Sequence, residues 1–491
     1  MYSPPVQGKK QTAKQLAIYT LMTLSVLLLV SLLILIMLGY RFDRKAGTIE
    51  QGGLVQLNSI PAGATLTINA ARLSATTPAK TTLSANQHSI SMVQNGYTPW
   101  QKTVQVVSGN ILWLNYARLI PIDRPVDTIS SLTAITSSLS SPNRKWYAMT
   151  TEKSSPAIRL VDVSVEDPEI KTLALPELSF TKPVNVESAS FHISAWDPSS
   201  SRYILLEHRF DDTNEWIVVD TEEIAKTKNI STTFDISMVK PQFSNADSTV
   251  LYAVIEGDIR RIDIDQSTIS APLVRNVAEF SFFDKSTLLY VTNIDEIKKT
   301  RSVGYRSEDA SESRAIRTFS DEGTVPLHIA AGKYYNQTYL GIAYDSSIEI
   351  LTGSLPRSDS KDTLALTAEA TMSTPEAINF FSNKTDGRFF VAQHKNSYSV
   401  YDLELQKATT TTIRGDAVLE AELRWLDGHS VWSSLGGQLH FYEFDGANQN
   451  TIMPIVAGQN PALSPNNRYI YAPTVDEKGV FHLSRVRLIL P

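Results

Sequence analysis

Cysteine is absent from the 491 residues. Its absence excludes disulfides, thiolate zinc sites, iron–sulfur clusters, cysteine nucleophiles and cysteine-linked lipid anchors. A basic excess is also missing: 45 Lys and Arg against 51 Asp and Glu give a formal charge of −6. A polyanion is held by clustered positive charge, so nucleic acid is not an expected partner. The sequence contains no G-x-x-x-x-G-K-[ST] and no G-x-S-x-G, the marks of phosphate-cradling loops and nucleophile elbows. Its eight histidines, His88, His192, His208, His328, His394, His429, His440 and His482, form no H-E-x-x-H or H-x-H pair. Helical periodicity is scarce after residue 126, with 222–228 the best short candidate.

One long apolar run is present. Residues 16–38 carry no charge over 23 positions. At about 1.5 Å per residue they span roughly 34 Å, enough for a hydrocarbon core of about 30 Å. A cleaved signal peptide is the alternative, but its apolar region is shorter and ends in small residues. Here the run ends in Met37-Leu38-Gly39-Tyr40-Arg41 with no A-x-A site. Lys9, Lys10 and Lys14 before it balance Arg41, Arg44 and Lys45 after it. The flanking charges therefore set no orientation, and a long domain translocates largely regardless of them. The expectation is a single-pass protein of the cell membrane that meets the lipid bilayer through this one helix. Residues 1–15 would be a cytoplasmic tail, 16–38 the transmembrane helix, and the remainder extracytoplasmic.

Residues 48–121 read as short strands between turns. Gly53-Leu-Val-Gln-Leu57 is followed by the turn Pro61-Ala-Gly63. Thr65-Leu66-Thr67-Ile68 alternates, Thr77-Pro78 turns, and His88-Ser-Ile90-Ser-Met92 is again strand-like. Asn95-Gly96, Val104-Gln-Val106 and Ser108-Gly109-Asn110 complete the series. The ordered signals Ser59-Ile-Pro61-Ala-Gly63-Ala64, Thr77-Pro78, His88-Ser-Ile90, Gly96-Tyr97…Trp100 and Val104-Gln-Val106…Gly109 resemble the PEGA domain. That resemblance implies a small β-sandwich on a surface-associated bacterial protein, in a spacer or interaction role without chemistry. Ala62 replaces the Glu of the family pattern, and the Asp-Gly hairpin expected near Ala70-Ala71 is missing. Trp100 and Trp113 read as sandwich core or packing rather than as a sugar-binding pair.

Residues 126–491 hold a loose repeat. A polar turn leads to an apolar-aromatic strand, and a second alternating strand follows. Ser141-Pro-Asn-Arg144 introduces Trp146-Tyr-Ala-Met149 and 157–163; Trp196-Asp-Pro198 introduces 203–206 and 215–220; Phe243-Ser-Asn245 introduces 250–253 and 258–263. Further copies begin at Phe280, Tyr339, Phe380, Leu423 and Leu463. Eight units in roughly 365 residues give about 46 each, the length of a four-stranded propeller blade. The turns at 141–148 and 464–471 resemble the S-P-D-G-[KR] hairpins of TolB-like and WD40-like propellers, with Asn-Arg and Asn-Asn in place of Asp-Gly. The expected fold is mainly β: one transmembrane helix, a PEGA-like β-sandwich over 48–121 and a propeller of seven or eight blades over 126–491. Two or more β-sandwiches are the alternative. Val126–Ile129 is a candidate to pair with the last blade and close the ring. Residues 299–325 are polar and read as a long loop.

No catalytic, cofactor-binding or metal-binding residue is assigned, and no cofactor is expected. Ser179-Phe-Thr-Lys182 and Ser358-Asp-Ser-Lys361 match S-x-x-K but open no credible helix. Asp211-Asp-Thr-Asn-Glu215 lacks a calcium-loop frame and reads as a hairpin tip, and 445–450 as a turn. The expected function is that of a non-enzymatic, membrane-anchored envelope protein. Its PEGA-like spacer would present a propeller that recognises a peptide, a glycan or an envelope protein. The alternatives are an extracytoplasmic enzyme or sensor built on propeller loops, and a purely structural surface protein. No oligomeric state follows from the sequence.

Overall fold

A computed structural model describes residues 9–37, 39–43, 48–320, 323–383, 387–413 and 423–491. The chain forms two compact units, Met1–Ile122 and Asp123–Pro491.

The first unit opens with the helix Lys9–Met37. Its segment Ala13–Met37 is long and apolar enough to cross a membrane, and none of it is buried against protein. Thr20 and Thr23 return their hydroxyls to the carbonyls of Leu16 and Tyr19, so these polar side chains are satisfied within the helix. Residues 1–8 of the expected tail and residue 38 lie outside the described residues.

A sandwich follows. One sheet has three strands, Ala79–Leu83, Gly53–Ile60 and Ile111–Arg118, the last two parallel. The other has four, Ala71–Thr76, Thr65–Ile68, Gln87–Val93 and Trp100–Gln105. Alternating residues point inward, and Val55, Leu57, Leu66, Ile90, Met92 and Leu114 are buried between the sheets. Trp100 joins this core; Trp113 is partly buried. The two turns named in the sequence interlock through one hydroxyl. Thr77 Oγ1 accepts from the amides of Gly63 (3.1 Å) and Ala64 (2.9 Å) and lies 2.6 Å from Ser59 Oγ. At the site of the missing Asp-Gly, a two-residue hairpin forms with Asn69 and Ala70 both at positive φ. The Asn69 side-chain oxygen accepts from Ser89 N and so holds the turn.

The second unit is a β-propeller of eight four-stranded sheets among the described residues. Blades 1 to 7 are the meanders 137–174, 190–229, 239–269, 277–320, 327–373, 380–412 and 424–454. Blade 8 combines Ala462–Leu463, Tyr469–Val475 and Phe481–Arg487 with an outer strand from the start of the unit, Val126–Leu132. The ring closes there by antiparallel pairing from Val126↔Val486 to Leu132↔Phe481, with a bulge near Ile129. Apolar side chains fill the spaces between neighbouring blades. Ile158, Leu160, Phe191 and Leu206 join blades 1 and 2; Leu132, Tyr147, Met149, Tyr469 and Leu483 join blade 8 to blade 1. Closure pairs both long sides of Phe481–Arg487, between Tyr469–Val475 and Val126–Leu132.

The repeat seen in sequence is the turn before the second strand, then the second and third strands. Those strands are buried on both faces, as in Val250–Ile255 and Phe389–His394. The turn 384–386 of the sixth copy lies outside the described residues. Two expectations are corrected. Residues 299–325 are no loop: Thr300–Ser307 and Arg314–Ser320 are the third and outer strands of blade 4, with 321–322 outside the described residues. An outer strand keeps a solvent face, so its polar alternation hides it. Residues 222–228 hold the 3-10 turn Ile224–Lys226 and the start of the strand Lys228–Asn229, and the short helix lies just after, at Ile230–Phe234.

Candidate functional site

The inner strands vary greatly in length. Ser190–Trp196 and Leu327–Tyr334 have seven and eight residues, whereas Arg424–Trp425 and Ala462–Leu463 have two each. Where blades 7 and 8 fall short, the ring opens into a cleft of about 350 Å³ on the face carrying the turns between inner and second strands. Blade 1 contributes Ser140, Ser141, Pro142 and Arg144; blade 7 contributes Trp425, Leu426, Asp427 and Trp432; Pro461 and Leu463 come from the entry to blade 8.

Two matching turns shape its rim. In the blade 1 turn, Asn143 Oδ1 accepts from Ser141 Oγ (2.7 Å) and Lys145 N (2.9 Å), and Ser141 Oγ accepts from Trp146 N. In the blade 8 turn, Asn466 Oδ1 accepts from Ser464 Oγ (2.8 Å) and Arg468 N (3.0 Å), and Ser464 Oγ accepts from Tyr469 N. The left-handed position, glycine in the family hairpin, is Arg144 in one and Asn467 in the other, both at φ 58°. From its half-buried place in the turn Arg144 reaches across, donating to Asn467 Oδ1 (3.3 Å) and the Pro465 carbonyl (3.2 Å). Asp427 accepts from the amides of His429 and Ser430, both at 2.8 Å, and so builds the blade 7 turn. Among the described residues lining the cleft, the one cation and one carboxylate thus hold neighbouring turns. Its remaining walls are two indoles, two prolines, two leucines and two serines. Trp425 stacks on Phe389 at 5.6 Å, and among the described residues its buried Nε1 donor has no hydrogen-bond partner. These groups can stack on and hydrogen-bond a ligand.

The motifs weighed in the sequence lie elsewhere. Ser179 is buried and gives its hydroxyl to the Pro176 carbonyl, while Lys182 pairs with Glu177. Ser358 is buried and donates to the Glu312 carbonyl. Asp211 and Asp212 form a two-residue turn at positive φ between Phe210 and Thr213. Asp211 accepts from Ser188 Oγ and Val184 N. Glu215 accepts from Thr181 N and Oγ1 and pairs with the buried His208 at 2.8 Å. Burial pushes Glu215 up, but His208 and the Thr181 and Asn229 hydrogen bonds outweigh it and leave the carboxyl below its ordinary range.

On the inner strands, Lys240 donates to the Ala278 carbonyl at 2.9 Å, and His328 Nδ1 lies 3.2 Å from Glu279. These contacts step from blade 3 to 4 and from 4 to 5. Among the described residues, no three His, Asp or Glu gather as a metal site would require. The sequence could not show the cleft, since its lining comes from three segments far apart in the chain. The one local signal is that turn residues follow at once, Asp427-Gly428 after Trp425 and Ser464-Pro465 after Leu463.

No curated protein matches the chain. Solved structures similar to it include the Cps50 (Swd1) β-propeller domain of Myceliophteria thermophila, at 11% identity and TM-score 0.40, covering 74% of this chain and all of that one. Dipeptidyl peptidase 4 of Porphyromonas gingivalis aligns at 12% identity and TM-score 0.47, over 74% of this chain and 60% of that one. The first unit has a family match of its own: residues 53–119 fit the PEGA domain, so a PEGA domain stands between the apolar helix and the propeller in the chain.

Proposed function

We propose that this chain is a membrane-anchored binding protein of the cell envelope. The helix holds it in the membrane, residues 1–15 stay in the cytoplasm, and the PEGA domain and propeller lie outside. The PEGA domain serves as a spacer, and the propeller recognises a peptide, a glycan or another envelope protein without transforming it. The carrying observation is the 350 Å³ cleft over blades 7, 8 and 1, whose indole and proline walls suit stacking recognition. Its Arg144 and Asp427 are committed to turns, which leaves recognition as the reading best supported.

Two experiments test this. The full chain in detergent, used as bait in envelope extract, should capture a ligand that a Trp425→Ala chain of unchanged melting temperature fails to capture. Capture indifferent to Trp425 would remove the cleft from the account. Topology can be read because the chain has no cysteine. A Lys478→Cys protein, altered at an exposed loop, should react with a membrane-impermeant maleimide in cells stripped to an intact inner membrane. Reaction only after lysis would place the propeller in the cytoplasm.

A further inference from the structure

One pattern recurs through the propeller and is inverted in blade 8. In blades 1, 2 and 6 a cation precedes the aromatic that opens the second strand: Lys145-Trp146, Arg202-Tyr203 and Arg388-Phe389. Each cation lies over its aromatic neighbour at 4.8, 5.3 and 4.8 Å. The residue opposite that aromatic, at the end of the third strand, is an aspartate: Asp162, Asp220 and Asp402. It pairs with the cation at 3.9, 2.6 and 2.7 Å.

Blade 8 keeps the cation and the aromatic, as Arg468-Tyr469. Opposite Tyr469, however, stands Arg487, and Arg485 lies two residues earlier on the same strand. Both guanidiniums pack on the Tyr469 ring, Arg487 at 5.3 Å and Arg485 at 4.4 Å. Arg487 holds the aspartate position, and Arg485, opposite Tyr471, adds a third guanidinium. The carboxylate comes instead from a loop of blade 1. Glu166 meets Arg468 Nη1 at 3.2 Å, Arg487 Nη2 at 3.3 Å and the Tyr469 hydroxyl, while Arg485 donates to its backbone carbonyl. Arg485 also has Asp127 at 3.8 Å. These two carboxylates do not exhaust the donors: among the described residues, the buried Arg487 Nε has no hydrogen-bond partner. The site is also open. Arg468 and Glu166 keep 40% and 48% of their side-chain surface exposed, and residues 164–167 are exposed throughout.

We propose that Arg468, Arg485, Arg487 and Tyr469 form an oxyanion-binding site for a phosphate group, and that Glu166 is its tethered resting occupant. Guanidinium forks match phosphate oxygens bidentately, and with Asp127 beside Arg485 the three cations still exceed the two carboxylates that face them, so a dianion in place of Glu166 answers them better than its single charge does. An incoming phosphate displaces the Glu166 carboxylate, and the exposed loop that carries it swings outward.

The test is calorimetric titration of inorganic pyrophosphate into the full chain in phosphatidylcholine nanodiscs at fixed ionic strength. Glu166→Gln removes the competing charge and should tighten binding about 5–10-fold. Adding Arg487→Gln to that variant should abolish it, with thermal unfolding confirming that both proteins fold. Arg468→Lys, which keeps charge but loses the fork, should give intermediate affinity. Equal or weaker pyrophosphate binding by the Glu166→Gln protein, or binding that survives Arg487→Gln, would overturn the proposal and leave Glu166 as a clasp between blades. Repeating the titration in discs containing phosphatidylglycerol assigns the source of phosphate within a confirmed site. A weakened signal marks a lipid headgroup, and an unchanged one marks a soluble ligand.

Discussion

Asp197 shows how much backbone one side chain can organise. Fully buried in the turn that opens blade 2, it accepts from the amides of Ser199, Ser200, Arg202 and Tyr203 at 2.7–3.1 Å. Burial pushes its carboxyl up, yet the Tyr203, Ser200 and Arg202 hydrogen bonds outweigh that and hold it below the ordinary 3.8. Asp197→Ala would strand those amides at a cost of about 3 kcal/mol, readable as a lowered unfolding midpoint in urea. An unchanged midpoint would mean that water replaces the carboxylate without loss. Asp220 is depressed similarly, burial being outweighed by Arg202 and the amides of Glu223 and Glu222. Groups lowered in the fold stabilise it above their unfolded pKa and lose that contribution as pH falls through the folded value. His192, His394 and His440 sit below 6.5, chiefly through burial. Their contribution is complete above about pH 6.5 and fades below it, and that of Asp197, Asp220 and Glu215 fades below about pH 4.5. Thermal melts from pH 8 to 3 should therefore show a plateau above neutrality, a first decline below about 6.5 and a steeper one below about 4.5. A flat profile from pH 7 to 5 would contradict the first step.

The elements explain which parts of the fold are legible in sequence. Second and third strands are walled on both faces by neighbouring blades, so Leu205-Leu206 and Trp216-Ile-Val-Val219 read as continuous apolar runs. Outer strands face solvent on one side. Arg314-Ala-Ile-Arg-Thr-Phe-Ser320 has no buried residue and therefore passes for a loop. The closing strand Val126–Leu132 carries Asp127, Ser130 and Ser131, so its place in the chain hints at its role while its residue pattern does not. The cleft was illegible for a different reason: no rule of spacing connects residue 144 with residue 425. Closure itself can be strengthened. Ser131 and His482 face each other across the seam at 3.3 Å. In a chain otherwise free of cysteine, Ser131→Cys with His482→Cys should form a staple around roughly 350 residues, worth up to about 4 kcal/mol. The melting temperature should rise when the pair is oxidised and return on reduction. No difference between the two states would show that the seam does not limit stability.

At the scale of the molecule, a nearly balanced charge conceals a local imbalance. Asp and Glu slightly outnumber Lys and Arg overall, yet positive charge concentrates where blade 8 meets blade 1, because the ring imports its carboxylate from the neighbouring blade there. The same seam imposes an order in time. The strand Val126–Leu132 leaves the ribosome soon after the helix and the PEGA domain, but its partner Phe481–Arg487 follows some 350 residues later. At about 5–20 residues per second, that delay is roughly 20–70 s. Throughout it the early strand waits as an unpaired edge while seven blades accumulate beside it. Chains arrested before residue 481 should therefore remain cleavable by protease near residues 126–132, and chains released at full length should not. The ring is completed last, by its earliest segment, so only a chain translated through its eighth blade conceals the strand with which the propeller began.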